Sequence, residues 1–168
     1  MCIRDSYKLA DIPNTCVSAI KAVRDLKLNY ITIHISSGFK ALKAAKKVSG
    51  KTKLIGVTIL TSLDNKSLKE IGFQKEVKKL VLHQAKLASK AKLDAIVCSP
   101  HEIKIVKKVF KKEIITPGIR LSGDSKGDQK RVMTPKQAFQ NGATALVIGR
   151  SLTSNIKKNI QKLTRELN

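Results

Sequence analysis

The chain has no tryptophan, two tyrosines and four phenylalanines in 168 residues. It therefore lacks the aromatic platforms on which binders of single-stranded nucleic acid stack successive bases. Carboxylates are scarce as well. Twelve Asp and Glu stand against thirty-four Lys and Arg, a formal charge of +22, which on its own would suggest a polyanionic partner. The excess is mostly lysine spread over nearly every helical segment, whereas base reading calls for focused arginine with Asn or Gln. No helix-turn-helix, RNP-like or zinc-finger pattern accompanies it. These observations predict lysine-rich solvated faces, no specific nucleic-acid partner, and a field able to draw in a phosphorylated substrate.

Cysteine is also sparse. Cys2, Cys16 and Cys98 are odd in number and lack paired ligand spacing, which speaks against a disulfide framework and against a zinc site. Buried or incidental thiols are expected, and no metal site. No apolar run approaches the roughly 20 residues of a membrane span, and no signal-peptide h-region is present. A soluble, cytoplasmic protein without membrane contact is expected. A Gly-x-Gly-x-x-Gly turn, the strongest dinucleotide signature, is missing too.

What is present is an alternation of strand and helix patterns. Strand-like runs occur at Tyr30 to His34, Leu54 to Leu60, Ala95 to Cys98, Ile114 to Thr116 and Ala145 to Ile148, with room before Asp11 for one more. Between them lie helical patterns: one after Pro13 with Val17, Ile20 and Val23 on a face, another from Phe39 to Val48, and a long one from about Gln74 to Ala91. Ser99-Pro100-His101 is read as starting a further helix. Thr134-Pro135 reads as an N-cap and N1 pair. Ile156, Ile160, Leu163 and Leu167 share a face of the last helix. Strands apolar on both sides within βα alternation imply a parallel sheet covered by helices. The length suits one domain. A closed eight-stranded barrel needs about 250 residues, so the expected fold is α/β, a (β/α)8 TIM barrel with about six of eight βα units present. An open doubly wound sheet is the alternative.

In a parallel barrel the loops after the strands gather at one face and form the active site. Gly149-Arg150-Ser151 follows the last strand and Pro117-Gly118-Ile119-Arg120 the one before it. Glycine lets backbone approach an anion, and arginine supplies a charged fork, so the two segments read as a phosphate cradle beside the polar loop Gly118 to Gln129. Lys8 and Asp11 form a second constellation. At the end of the first strand Lys8 can point into the barrel mouth, and a carboxylate nearby would keep its ammonium protonated as a proton donor to a carbanion-like centre.

The run Lys8-Leu9-Ala10-Asp11-Ile12-Pro13-Asn14-Thr15 resembles the signature of orotidine 5'-phosphate decarboxylases. The likeness continues in order through Thr32-Ile33-His34, Val57 to Leu63, Val97-Cys98-Ser99, Ile115 to Arg120, Gly127-Asp128-Gln129-Lys130-Arg131 and Val147 to Ser151. It implies a homodimeric (β/α) barrel that converts orotidine 5'-monophosphate to UMP in pyrimidine synthesis, without cofactor or metal. By this resemblance Lys8 matches the proton donor to pyrimidine C6, and Asp11 a carboxylate given across the dimer to the neighbouring site. Ile12 and Thr15 match residues packing near the base and contacting the ribose, and Ser62 the serine on the pyrimidine edge. Gln129 and Arg150 match the phosphate grip, with Gly149 presenting backbone beside it. Pro117 and Arg120, in the matched word that leads into the closing loop, Gly118 to Gln129, are likewise expected to bind substrate. His34 matches a position near the site, and Arg131 reads as more of a loop-surface group than Gln129.

The resemblance also marks departures. It places two βα units ahead of the segment that Lys8 opens, so residues 7–168 are expected to be a partial barrel, N-terminally truncated, and residues 1–6 an aberrant or disordered lead-in. Ser6 stands where the motif carries an aspartate, and the adjacent Asp5 is one residue out of the alternation of a strand. The two earlier units are those that, by the resemblance, give an aspartate to the ribose and a lysine to the charged network; with a member of the charged triad lost, little or no decarboxylase activity is expected of this chain. Exposed sheet edges and apolar helix faces are expected as well. Two other functions compete: a sugar-phosphate decarboxylase or epimerase on the same barrel, and a noncatalytic basic binding module.

Overall fold

The computed structural model describes residues 7–125, 127 and 130–167. Six strands, β1 (Lys8–Leu9), β2 (Tyr30–His34), β3 (Lys53–Val57), β4 (Ala95–Val97), β5 (Glu113–Thr116) and β6 (Ala145–Leu146), pair in parallel in strict sequence order. A doubly wound sheet reverses its strand order at a switch point. This one never does, which decides for the barrel-type winding, with β1 and β6 at the two edges. Helices α1 (Pro13–Ala22), α2 (Gly38–Val48), α3 (Asn65–Glu70), α4 (Val77–Lys90), α5 (Ile103–Val109), α6 (Pro135–Asn141), α7 (Arg150–Thr153) and α8 (Ile156–Leu167) complete the chain.

Alternation along the strands splits the core in two. Ile31, Ile33, Leu54, Ile96 and Ile114 join helix residues such as Leu42, Val81 and Val106 in the main cluster. Their neighbours Ile55, Val57, Ala95, Val97 and Ile115, with Val147, make a second, smaller cluster on the other sheet face. Register carries Lys8 to that second face, because it pairs with Thr32, Thr32 with Ile55, and Ile55 with Ala95. Leu9, its neighbour, is buried in the main cluster. The Thr32 hydroxyl donates to the Tyr7 carbonyl at 2.6 Å, fixing the short first strand to its neighbour.

Several boundaries differ from the sequence expectation. β3 ends at Val57, not Leu60, because its neighbour β4 stops at Val97: the Thr58 N–H makes the last ladder bond to the Val97 carbonyl at 3.1 Å, and its hydroxyl donates to the same oxygen at 2.7 Å. Residues 59–61 thereby leave the sheet. α3 was not foreseen. Asp64 caps it, accepting from the Ser67 N–H at 2.8 Å, and Asn65 Oδ1 accepts from the Val77 N–H at 2.9 Å, which delays α4 to Val77. α5 starts at Ile103 rather than at Ser99, and β6 ends at Leu146 rather than Ile148. The Thr134-Pro135 start of α6 is a full capping box with Gln137. Ile156, Ile160 and Leu167 on α8 are exposed.

At the opposite end of the strands from the loops of interest, Asp94 ties three elements together. It pairs with Lys46 of α2, accepts from the Leu54 N–H at 2.9 Å, and lies 3.7 Å from Lys112. Partial burial is the largest influence on its pKa and raises it, but the hydrogen bonds from Lys46 and Leu54 and the two lysine charges together hold the carboxyl below its ordinary 3.8. Asp94→Ala is expected to lower the unfolding free energy by about 2 kcal/mol near neutral pH, the scale of hydrogen bonds to a charged group. A depressed carboxylate stabilises above its unfolded value and loses that contribution as pH falls through the native value. Denaturant midpoints of the two proteins should therefore differ at pH 7 and converge in acid below the ordinary 3.8.

Candidate active site

The ends of β1, β3, β4, β5 and β6 surround a cavity of about 260 Å³ lined by Lys8, Val57, Ile59, Leu60, Thr61, Val97, Cys98, Pro117 and Val147. Its walls are largely aliphatic because they extend the second core cluster past the strand ends. Among the described residues, Lys8 is the only lysine or arginine in that lining. A larger depression, about 550 Å³, lies elsewhere, among Lys40, Lys43, Lys46, Lys47 and Lys92. It is a shallow surface between α2 and the end of α4, remote from the strand ends where barrel chemistry gathers.

His34 sits half-buried at the end of β2. Burial first, and the charge of Lys8 second, press its imidazole below the ordinary 6.5. It is therefore neutral at pH 7, so Lys8 has no competing imidazolium beside it. Cys98 is 1% exposed. Burial first, and the Glu102 charge second, push its thiol far up, against the pull of Arg131. It is an inert, protonated wall of the cavity.

Two loops follow the ends of β5 and β6. After β5 the chain passes Pro117 and Gly118, which adopts φ 76°, and then closes on itself at a neck. There the Arg120 N–H donates to the Met133 carbonyl at 3.1 Å and the Met133 N–H to the Gly118 carbonyl at 3.2 Å. Arg120 turns back into its own loop, donating from Nε to Ser125 O at 3.1 Å and from Nη1 to Ile119 O at 3.0 Å. α8 holds the same loop from outside, with Glu166 accepting from the Ser122 N–H at 2.7 Å and Lys162 Nζ 3.3 Å from Asp124. The second loop is Gly149-Arg150. Gly149 caps α7, and the guanidinium of Arg150 lies on Gly127, where a Cβ would stand 3.3 Å from Nη1. Gly127, at φ 57°, thus brings loop backbone against the arginine, and the two loops meet. Gln129 and Asp128 lie outside the described residues, as do Ser6 and Asp5.

Not every candidate joins this assembly. Asp11 is exposed, its Oδ1 accepts from the Ile12 N–H at 2.7 Å, and it does not line the cavity. Ile12 is 66% exposed and Thr15 is exposed on α1. Ser62 is half-buried, one residue past the cavity-lining Thr61. Of the residues singled out from sequence, Lys8 and Pro117 line the cavity itself.

Arg131 is the main surprise. Rather than a loop-surface group, it is an internal brace, with its side chain 12% exposed and paired at 2.7 Å with Glu102, itself 6% exposed. Its Nη2 donates to the carbonyls of Leu60 at 2.9 Å and Ile59 at 3.3 Å. Beside it, Lys130 bridges to Asp64 at 2.8 Å. That hydrogen bond first, and those from Ser67 second, hold the Asp64 carboxyl well below the usual carboxylate range. No spacing rule could have joined Arg131 to Glu102, which lies on a different strand-end loop. Among the described residues no group of three or more His, Cys, Asp or Glu is placed to hold a metal, and no helix is long and apolar enough to cross a membrane.

The arrangement offers an exposed ammonium, Lys8, on the wall of a largely aliphatic cavity and, on the loops after β5 and β6, a guanidinium held against glycine backbone. An apolar wall with a few charged groups is the general character of a small-molecule site.

Residues 7–160 match the family described as orotidine 5'-phosphate decarboxylase / HUMPS. The chain is 46% identical over 156 residues to the orotidine 5'-phosphate decarboxylase of Coxiella burnetii (strain RSA 493 / Nine Mile phase I), covering 88% of this chain and 66% of that protein. It is 44% identical over 165 residues to the enzyme of the same name from Prochlorococcus marinus (strain AS9601), covering 91% and 68%. Among solved structures, orotidine 5'-phosphate decarboxylase from Lactobacillus acidophilus superposes with a TM-score of 0.80 at 31% identity, covering 97% of this chain and 74% of that one. The chain thus spans about two thirds of the length of these curated relatives.

Proposed function

The chain belongs to the orotidine 5'-phosphate decarboxylase / HUMPS family, and on that footing we propose that its strand-end cavity decarboxylates orotidine 5'-monophosphate to UMP in pyrimidine nucleotide synthesis. The carboxylate leaves C6 as CO2, its bonding pair remains on C6, and the Lys8 ammonium delivers a proton there. No redox partner is needed for this balance. The observation that carries the reading is that Lys8 lines a largely aliphatic strand-end cavity, while the loops after the neighbouring strands β5 and β6 bring Gly127 and Arg150 together.

Each part has a physical task. Val57, Ile59, Val97 and Val147 keep the dielectric low, so the fixed charge of Lys8 acts strongly on the developing carbanion. Arg150, with Gln129 and the backbone of Gly149, grips the phosphate, and binding energy from that remote group is used for loop closure and positioning. Ser62 reads the pyrimidine edge, with Pro117 beneath it and Arg120 shaping the loop. Aliphatic walls also favour a pyrimidine over a polyol phosphate, whose hydroxyls would be buried without partners.

Asp11, Ile12 and Thr15 serve the cavity of a second copy in a homodimer with shared sites. Their exposure, and the absence of Asp11 from the lining of its own cavity, fit that role. Ser6 departs from the aspartate of the family motif, and turnover by this sequence is accordingly low. The test is release of labelled CO2 from carboxyl-labelled orotidine 5'-monophosphate by the parent chain and by its Ser6→Asp variant. The expected result is UMP formation in step with CO2, at least about tenfold faster in the variant, the lower end of effects from groups that act as a unit. Equal, background-level release from both, with no UMP bound by either, would refute the assignment.

A further inference from the structure

The side chain of Arg131 touches three strand-end loops at once. It is rooted at the base of the Gly118–Gln129 loop, pairs with Glu102 after β4, and donates to the Ile59 and Leu60 carbonyls after β3. Those two carbonyls belong to the stretch just past the end of β3. Ile59 and Leu60 also form the cavity wall, and Ser62 follows two residues later.

We infer that Arg131 is a positioning residue: paired with Glu102, it locks the β3 rim to the base of the phosphate loop, so that phosphate binding and the placement of Ser62 are set by one side chain. The identity of the two ends rests on the function proposed above, whereas the brace itself does not. Two neighbouring contacts join the same segments, Lys130 to Asp64 at 2.8 Å and His101 Nε2 to the Val132 carbonyl at 3.1 Å. The lysine pair is 49% and 41% exposed, where solvent leaves an ion pair little strength. The arginine pair is 12% and 6% exposed, where removal of one partner strands a buried charge. Arg131 is therefore the anchor, and its fork explains the residue type: one terminal nitrogen faces the carboxylate while the other serves the carbonyls, a division that the single nitrogen of lysine does not reproduce.

The Leu63 amide reports on the brace, since it donates to the Leu60 carbonyl at 3.0 Å within the rim turn. Hydrogen exchange read by NMR on the full chain should show Leu63 exchanging at least about tenfold faster in Arg131→Met, with amides of β2 unchanged, as for local rather than global opening. Saturating UMP should slow Leu63 exchange in the parent and leave it within about twofold in Arg131→Met, a loss of coupling that a merely structural role would not produce. Arg131→Lys should restore stability without restoring Leu63 protection. If Arg131→Met fails to fold, the double variant Glu102→Gln/Arg131→Met removes the stranded carboxylate and carries the same test. Unchanged Leu63 exchange, or acceleration equal in Leu63 and β2, would overturn the inference. Failure of UMP to bind the parent would count against the proposed function alone, because the ligand-free comparison still decides the brace.

Discussion

Replacing Lys8 with alanine in the Ser6→Asp chain is expected to slow CO2 release from orotidine 5'-monophosphate by about 10²- to 10⁴-fold, the range supplied by a positioned proton donor. UMP affinity should change by less than about tenfold, because an interaction made chiefly in the transition state lowers kcat rather than binding. The cause is the position of Lys8, brought by strand alternation and register onto the inner sheet face at the end of β1. His34 cannot take over, since burial and the nearby lysine keep it neutral near pH 7. Even with that charge gone, burial, the larger influence, still presses its pKa down. Asp11→Ala should be comparably slow. Mixed dimers of the two variants should recover about a quarter of the unmutated rate, because half the dimers are heterodimers with one intact site of two. A Lys8→Ala chain within tenfold of its parent would remove Lys8 from the chemistry.

Arg150→Ala carries the second large effect. Its guanidinium rests on the Gly127 backbone, and loss of one charge-assisted, bidentate contact of about 2 to 3 kcal/mol corresponds to roughly a 30- to 150-fold weaker hold on phosphate. Calorimetric titration should find that loss for UMP and almost none for uridine, which lacks the phosphate. Arg150→Lys should fall between, since an ammonium supplies charge without the fork. Equal losses for UMP and uridine would mean that Arg150 supports the fold of the rim rather than the anion.

How much of this could be seen in the sequence varied with the range of the interactions involved. β2 runs from Tyr30 to His34 as its apolar pattern implies, and the Thr134-Pro135 cap is present in full, because both are decided within a few residues. The parallel βα winding and the convergence of Arg150 with the glycine-bearing loop were also legible, since barrel topology delivers strand-end loops to one face whatever their detail. The end of β3 was not. Thr58 is β-prone and continues an apolar run, and the strand stops only because the neighbouring β4 ends at Val97 and offers nothing further to pair with. α3 escaped notice for a similar reason: it is short, lysine-rich and held by Asp64 and Lys130 rather than by a long apolar stripe. Arg131 looked like one more cation in a chain of thirty-four. Its partner Glu102 and the carbonyls it serves come from loops brought near only by the fold, and burial, the property that gives the pair its strength, has no local signature.

The exposed trio Asp11, Ile12 and Thr15 teaches the complementary lesson. Their sequence context links them to the chemistry of Lys8, yet within one chain they face solvent. Under the proposed shared-site dimer that exposure is expected, and the mixed-dimer experiment, not the geometry of a single chain, decides it.

The most direct test of the site is a crystal structure of the chain with UMP bound. The expected result places pyrimidine C6 within hydrogen-bonding reach of Lys8 Nζ, the ring between Val57, Ile59 and Val147, and the phosphate on Arg150 beside Gly127. UMP held instead by the lysines of the α2 and α4 surface, with the strand-end cavity empty, would contradict the assignment.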